Sequence, residues 1–307
     1  MNWKISLFII FISFSSCTEI KQEESTSWST EYLVEVADLK NHLKDSTFKV
    51  LDFRKESEYS KGHIKGAVNV WRTDIEDTTF AYAGMMASSS QIEALFNSYG
   101  INTGDTIIVY DDNGLCDASR LWWVLQNYDY NAVKLLHGGY SAWVAAGGAN
   151  STTASITRVG NFKLASNPSM KYAVSKEDVL TAVNNNRVIL DTRTEDEFSG
   201  KRQKNGAAKG GRIPASVRID WAEAIDYNGD KRIKSLEELQ QIYGELKNSK
   251  EEQIVVYCHS GVRSAHTSFV LTQLLGYSNV KNYDGSWVEW SHIDSLPFIQ
   301  DSTTTLY

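Results

Sequence analysis

Short apolar runs rich in β-branched residues recur along the chain: Lys49 to Phe53, Thr106 to Tyr110 and Val133 to Leu136, then Arg187 to Asp191, Gln253 to Tyr257 and Val280 to Tyr283. Each predicts a buried strand. Segments of helical period lie between them, from Ser90 to Tyr99, Ala118 to Tyr128, Ser235 to Leu246 and Ser264 to Leu275. Each follows a strand at crossover spacing, which favours parallel sheets and an α/β fold. Trp122 and Trp123, in the second helical segment, predict buried packing against a sheet.

The pattern occurs twice. At an offset of 147 residues, Ile108-Val109-Tyr110 aligns with Val255-Val256-Tyr257, Gly114 with Gly261, Ala118 with Ala265, Gly138 with Gly285 and Trp143 with Trp290. Upstream, Leu51-Asp52-Phe53-Arg54 pairs with Leu190-Asp191-Thr192-Arg193 at a slightly smaller offset. The reading is two homologous domains, residues 30–148 and 172–307, joined by a linker over 149–171 within the stretch Gly147 to Ser169, which is rich in Gly, Ser, Thr and Asn, with an edge strand near Asn161 to Ala165. A length of 307 residues allows each half its own core.

The N-terminus departs from this pattern. An apolar run from Ile5 to Phe14, too short to span a bilayer, precedes Ser15-Ser16-Cys17 and resembles the export signal and lipobox of bacterial lipoproteins. The resemblance implies a signal peptide over 1–17, acylation of Cys17, a polar tether over 18–29 and anchorage in a bacterial cell envelope, facing the periplasm or the exterior. A net charge of −7 gives nucleic acid no general reason to bind, so any anion site must be local. Besides Cys17, the cysteines are Cys116 and Cys258. A chain of this size needs no disulfide staple, and no Cys/His metal cluster is visible.

The sharpest local signal is Val255-Val256-Tyr257-Cys258-His259-Ser260-Gly261-Val262-Arg263-Ser264-Ala265, a buried strand, a short loop and a helix. Loop amides and the helix N-terminus would converge on the Cys258 sulfur and favour its thiolate. This loop resembles that of the rhodanese family, whose six-residue active loop starts at the catalytic cysteine; Cys258 to Arg263 fits that frame. Phosphatases of the same fold place an arginine one position later, where this chain has Ser264. Gly62-His63-Ile64-Lys65-Gly66-Ala67, Leu121-Trp122-Trp123 and Asp284-Gly285-Ser286-Trp287 extend the resemblance over residues 30 to 300.

The resemblance implies two rhodanese-like domains of which only the second reacts, because Asp111 occupies the position of Cys258. It implies a sulfurtransferase that moves a sulfane sulfur from thiosulfate or 3-mercaptopyruvate, through a Cys258 persulfide, to a thiol or cyanide, without a cofactor or metal. His259, Ser260, Gly261, Val262, Arg263 and Ser264 would cradle the sulfur, and Arg120 and Arg193 would hold the donor. His63 and Asp52 resemble two members of a relay completed by Ser260. The alternative is a persulfide carrier or sensor serving a dedicated protein partner. Two further features are set aside. Asp226 to Glu237 superficially fits a calcium loop, but Lys231 stands where glycine is required; Cys116, in the inactive loop, reads as a passive thiol.

Overall fold

The computed structural model describes residues 28, 30–156, 158–246, 249–301 and 305–306. Cys17, the expected signal peptide and all of the expected tether except Trp28 lie outside them.

The first half contains β1 (Leu33–Val34), β2 (Phe48–Asp52), β3 (Val68–Asn69), β4 (Thr106–Tyr110) and β5 (Val133–Leu136), ordered β1-β5-β4-β2-β3. The second contains β6 (Ala173–Val174), β7 (Val188–Asp191), β8 (Ser216–Arg218), β9 (Ile254–Tyr257) and β10 (Val280–Tyr283), ordered β6-β10-β9-β7-β8. The two orders correspond strand for strand, and every pairing within both sheets is parallel. The central strands β4 and β9 carry the most continuous apolar runs because helices cover both faces of each sheet.

Helix boundaries follow local chemistry. Ser88 and Gln91 form a capping box at the start of Ser89–Ser98, and Ser235 and Glu238 do the same for Leu236–Tyr243. The second of these is shorter than its periodicity predicts, because its last turn tightens into the 3-10 segment Gly244–Leu246. The helix after β9 begins at Val262, earlier than expected, and loosens into a π turn at Val270–Leu274.

The linker corrects one expectation. Residues 161–165 form no strand; Phe162 is instead fully buried against Phe96 and Tyr130. Asn97 receives the Phe162 N–H at 2.6 Å and donates to its carbonyl at 3.3 Å, so a side chain supplies the partners that a sheet edge would have given. Nearby, Asn150–Ser151 pairs antiparallel with His63–Ile64.

Each half has an apolar cluster of its own, and the two share a third, larger one. The helix Cys116–Asn127, buried along its whole length, packs against Val262–Phe269 of the other half. Trp122 meets Phe269 edge-on at 5.0 Å, and residues of both halves belong to the same apolar cluster. This packing brings together the loops that precede the two helices.

Each half also sends a strap across the other. Residues 77–86 reach the second half, where Tyr82 Oη donates to Glu289 Oε1 at 2.8 Å and the Met86 N–H to Asp284 Oδ2 at 2.9 Å. The stretch that superficially fits a calcium loop makes the reciprocal contact: Tyr227 Oη donates to Asn113 at 3.2 Å and Arg232 to Glu35 at 3.2 Å.

Candidate active site

Cys258 follows β9 directly and is almost fully buried at the mouth of the Val262–Phe269 helix. Gly261 starts that helix at φ 74°, where a β-carbon would fall 2.7 Å from the Asp284 carbonyl and 2.9 Å from Arg120 Nη1. Only glycine fits this turn. Ser286 fixes the loop from the other side. Its Oγ accepts the N–H groups of Cys258 (3.1 Å) and Gly261 (3.0 Å) and donates to the Tyr283 carbonyl (2.7 Å). Asn282 Nδ2 donates to the Gly261 carbonyl at 3.1 Å. Ser286 was legible only as part of a recurring tetrapeptide; its loop-fixing bonds depend on β10 lying beside β9.

Four influences on the sulfur outweigh its burial. Burial alone would push the thiol up, but the Arg263 guanidinium, the Ser264 hydroxyl and the backbone N–H groups of Ser264 and Ser260 hold it below its ordinary value. The silent half contains the same cradle around a carboxyl group: burial and the neighbouring Asp117 push Asp111 up to about 6, and the backbone N–H groups oppose them. Asp111 Oδ1 accepts the N–H groups of Asn113 (3.0 Å) and Leu115 (2.9 Å), and Oδ2 those of Asp117 (2.8 Å) and Ala118 (3.0 Å). Under the 147-residue offset, Asn113 and Asp117 correspond to Ser260 and Ser264, whose N–H groups face Cys258. The fold therefore builds an anion cradle twice. One copy is filled by a fixed carboxylate and the other holds a thiol.

Arg263 does not stand free at the rim. Its Nη1 and Nη2 bond Glu197 Oε2 and Oε1 at 2.7 and 2.8 Å, a bidentate pair with a nearly buried carboxylate. Burial would raise the Glu197 carboxyl, but Arg263 outweighs it and holds the group well below the usual carboxylate range. Sequence reasoning missed Glu197, which sits in the short helix Glu195–Phe198 after β7. His259 is neutral at physiological pH, because burial and the cations Lys204 and Arg263 push its imidazole down to about 4. Its Nε2 lies 2.9 Å from the Asn205 carbonyl, so it donates there and leaves Nδ1 as an acceptor. Ser260 lies under the strap from the silent half: a β-carbon on Gly84 would fall 2.7 Å from Ser260 Cβ. Val262 is buried in the first turn of the helix.

Four expected site residues are engaged by internal partners. Arg193 is fully enclosed. It bonds Asp191 through Nε (2.9 Å) and Nη2 (2.6 Å) and the Gly211 carbonyl (2.8 Å), and it lies over Tyr257 and Trp287. It has no open face for a donor carboxylate. The signal was available in the repeat, since Arg54 bonds Asp52 and the Gly62 carbonyl in the same way in the silent half. A pair present in both halves serves the fold. Arg193→Ala is therefore expected to cost about 3–5 kcal/mol by leaving Asp191 buried and uncompensated, with the KM for donor unchanged; denaturant unfolding and steady-state kinetics check both.

Arg120 does reach the loop, beside Gly261, but its Nη2 pairs with Asp284 Oδ1 at 2.5 Å and donates to the Gly84 carbonyl at 2.8 Å. It braces the loop, and its Nη1, buried beside Gly261, has no hydrogen-bond partner. The His63 relay is not assembled. His63 is fully buried, stacked on Tyr59 at 3.7 Å with Nδ1 3.0 Å from the Tyr59 carbonyl, while Asp52 is held by Arg54 and by Tyr110 Oη at 2.6 Å. Neither is bonded to Ser260. Cys116 is buried, and burial with Asp117 and Asp111 beside it pushes its thiol well above the ordinary value, as befits a passive group.

Comparison with known proteins bears on this geometry. The model of the Rhodanese-like domain matches residues 35–146 and 175–293. This chain belongs to the rhodanese family. Both rhodanese-like domains carry the parallel sheet and helices described above, and the second alone offers a cysteine at the cradle. A Saccharopolyspora erythraea protein named "Putative thiosulfate sulfurtransferase" is 34% identical over 246 residues, 78% of this chain and 85% of that protein. A Mycobacterium tuberculosis protein of the same name is 36% identical over 250 residues, 78% of this chain and 87% of its own length. The crystal structure of Escherichia coli SseA, described as a 3-mercaptopyruvate sulfotransferase, superposes with a TM-score of 0.74 at 29% identity, covering 84% of this chain and 99% of SseA.

Proposed function

We propose that this sulfurtransferase takes its sulfur from thiosulfate and carries it as a persulfide on Cys258. The thiolate attacks the outer sulfur; the S–S bond of thiosulfate breaks, sulfite leaves with the electron pair, and a new S–S bond forms on Cys258. Cyanide or a thiolate then attacks the terminal sulfur, yielding thiocyanate or an acceptor persulfide and regenerating the Cys258 thiolate. The observation that carries the reading is the duplicated cradle, in which Asp111 marks the site of negative charge that Cys258 occupies in the active copy. Preorganised N–H groups stabilise both the thiolate and the persulfide anion without reorganising.

Two considerations favour thiosulfate over 3-mercaptopyruvate. Of the guanidinium groups expected to hold the donor, Arg193 is paired with Asp191, and Arg120, paired with Asp284, keeps only its buried Nη1 without a partner, which is not enough for a two-pronged fork onto a carboxylate. The relatives in Saccharopolyspora and Mycobacterium bear the thiosulfate name. Purified protein incubated with cyanide and each donor in turn is expected to release thiocyanate faster from thiosulfate, with mass spectrometry detecting one extra sulfur on Cys258. Faster release from mercaptopyruvate would overturn the donor assignment. A stable extra sulfur with no turnover to small acceptors would favour the carrier reading.

We also propose that Cys17 is acylated and holds the enzyme at the bacterial envelope; support comes from the apolar run and Ser15-Ser16-Cys17. A mature N-terminal peptide that begins at Cys17 and carries lipid is the expected mass-spectrometric result.

A further inference from the structure

Among the described residues, one cation in the electrostatic field of Cys258 has no carboxylate partner. Arg263 is paired with Glu197, Arg193 with Asp191, Arg120 with Asp284, and Arg72, from the silent half, with Asp117 at 3.2 Å. Lys204 differs. It is exposed, and among the described residues no carboxylate lies within ion-pairing distance of its ammonium. Its neighbours include Arg263, Glu197, Cys258 and Arg72, so it stands in the electrostatic field of the reactive sulfur itself.

The turn that carries Lys204 is fixed to the active loop. The Ala207 N–H donates to the Lys204 carbonyl at 3.2 Å and Gln203 Nε2 to the Ala207 carbonyl at 2.8 Å. His259, the residue after Cys258, holds the Asn205 carbonyl at 2.9 Å, while His292 Nε2 lies 2.9 Å from the Gly206 carbonyl. The Ala208 N–H donates to Ser291 Oγ at 3.0 Å. The flexible lysine stem thus rises from a base tied directly to the loop. Although the residue as a whole is open to solvent, partial desolvation of its ammonium and the Arg263 and Arg72 guanidinium groups lower Lys204 from its ordinary value, which is the cost of keeping an unmatched cation there.

From this placement we infer that Lys204 is the residue that receives the anionic end of the sulfur donor and aims its outer sulfur at Cys258. This rests on the sulfurtransferase reading. A single ammonium is a compact charge with three rotatable donors and suits the tetrahedral sulfonate of thiosulfate, whereas a planar carboxylate is better matched by a guanidinium fork. Lys204 lies outside the active loop and its neighbouring motifs, so inspection of the loop alone does not find it.

The test uses the mature chain with Lys204→Gln and Lys204→Arg. In Lys204→Gln the KM for thiosulfate is expected to rise roughly tenfold, the loss of one charged hydrogen bond, with kcat within about twofold. The arginine variant should recover most of the affinity. A second readout does not require turnover: iodoacetate and iodoacetamide alkylate Cys258 by the same chemistry, but only the first is an anion. Lys204→Gln is expected to slow iodoacetate severalfold relative to iodoacetamide. An unchanged rate ratio together with an unchanged KM overturns the role of Lys204. Equal slowing of both reagents also overturns it, by indicating a changed thiol. A shifted ratio in a protein that fails to turn over thiosulfate would uphold the anion-receiving lysine and sink the donor assignment, so the two failures are distinguishable.

Discussion

Cys258→Ser is expected to lose thiosulfate:cyanide sulfur transfer by at least a factor of about a thousand, leaving the unfolding transition within about 1 kcal/mol of the parent. A serine hydroxyl in the same cradle remains protonated at neutral pH and forms no persulfide. The silent half cannot substitute. Its equivalent position is Asp111, whose carboxylate already accepts four backbone N–H groups, and its only thiol, Cys116, is buried and protonated. Thiocyanate assays with mass spectrometry of the Cys258 peptide check the result. Residual transfer at a tenth of the parent rate would mean that Cys258 is not the carrier.

The second large effect concerns the Arg263–Glu197 pair and has two separable parts. Arg263→Met removes one partner of a buried bidentate pair and should destabilise the chain by about 3–5 kcal/mol. It also removes the strongest of the influences that lower the Cys258 thiol, so the pH at which alkylation by iodoacetamide reaches half its plateau rate should move upward. The double variant Arg263→Met with Glu197→Leu should regain most of the stability, because no buried charge is left alone, while its alkylation profile stays shifted. If stability and reactivity recovered together, the pair would be structural only.

The sign of the accompanying pH dependence follows from the depressed carboxyl of Glu197. Its folded pKa lies below the unfolded value of about 4.3, so its stabilising contribution is complete above that pH and is lost as pH falls toward the folded value. In Arg263→Met that acid-dependent loss should shrink, since Glu197 remains but has lost the guanidinium that holds its pKa down. Urea unfolding between neutral and acid pH measures the difference.

Much of the architecture was legible because strand and helix periods are properties of the local chain. The runs at Thr106 to Tyr110, Val133 to Leu136 and Val280 to Tyr283 are strands with the same limits in the structure. The linker was misread because Phe162 is held by Asn97, a residue 65 positions away that no local pattern connects to it. The arginines were misread for a related reason. Arg193 points at Asp191 because Gly211, Tyr257 and Trp287 enclose it, and those neighbours come from separate segments. Its counterpart Arg54 repeats the arrangement without a reactive cysteine, the clue that distinguishes a structural pair from a donor site.

The sequence by itself determined that the protein has two copies of one α/β unit, that one copy holds Cys258 and the other Asp111, and that a six-residue loop joins Cys258 to the following helix. Those are facts of order and spacing along the chain. Only the tertiary structure decided which cations are paired. An ion pair depends on which segments packing brings within a few ångströms, so the same formal charge is a brace in Arg120, a fold element in Arg193, a partner of Glu197 in Arg263 and an unmatched ammonium in Lys204.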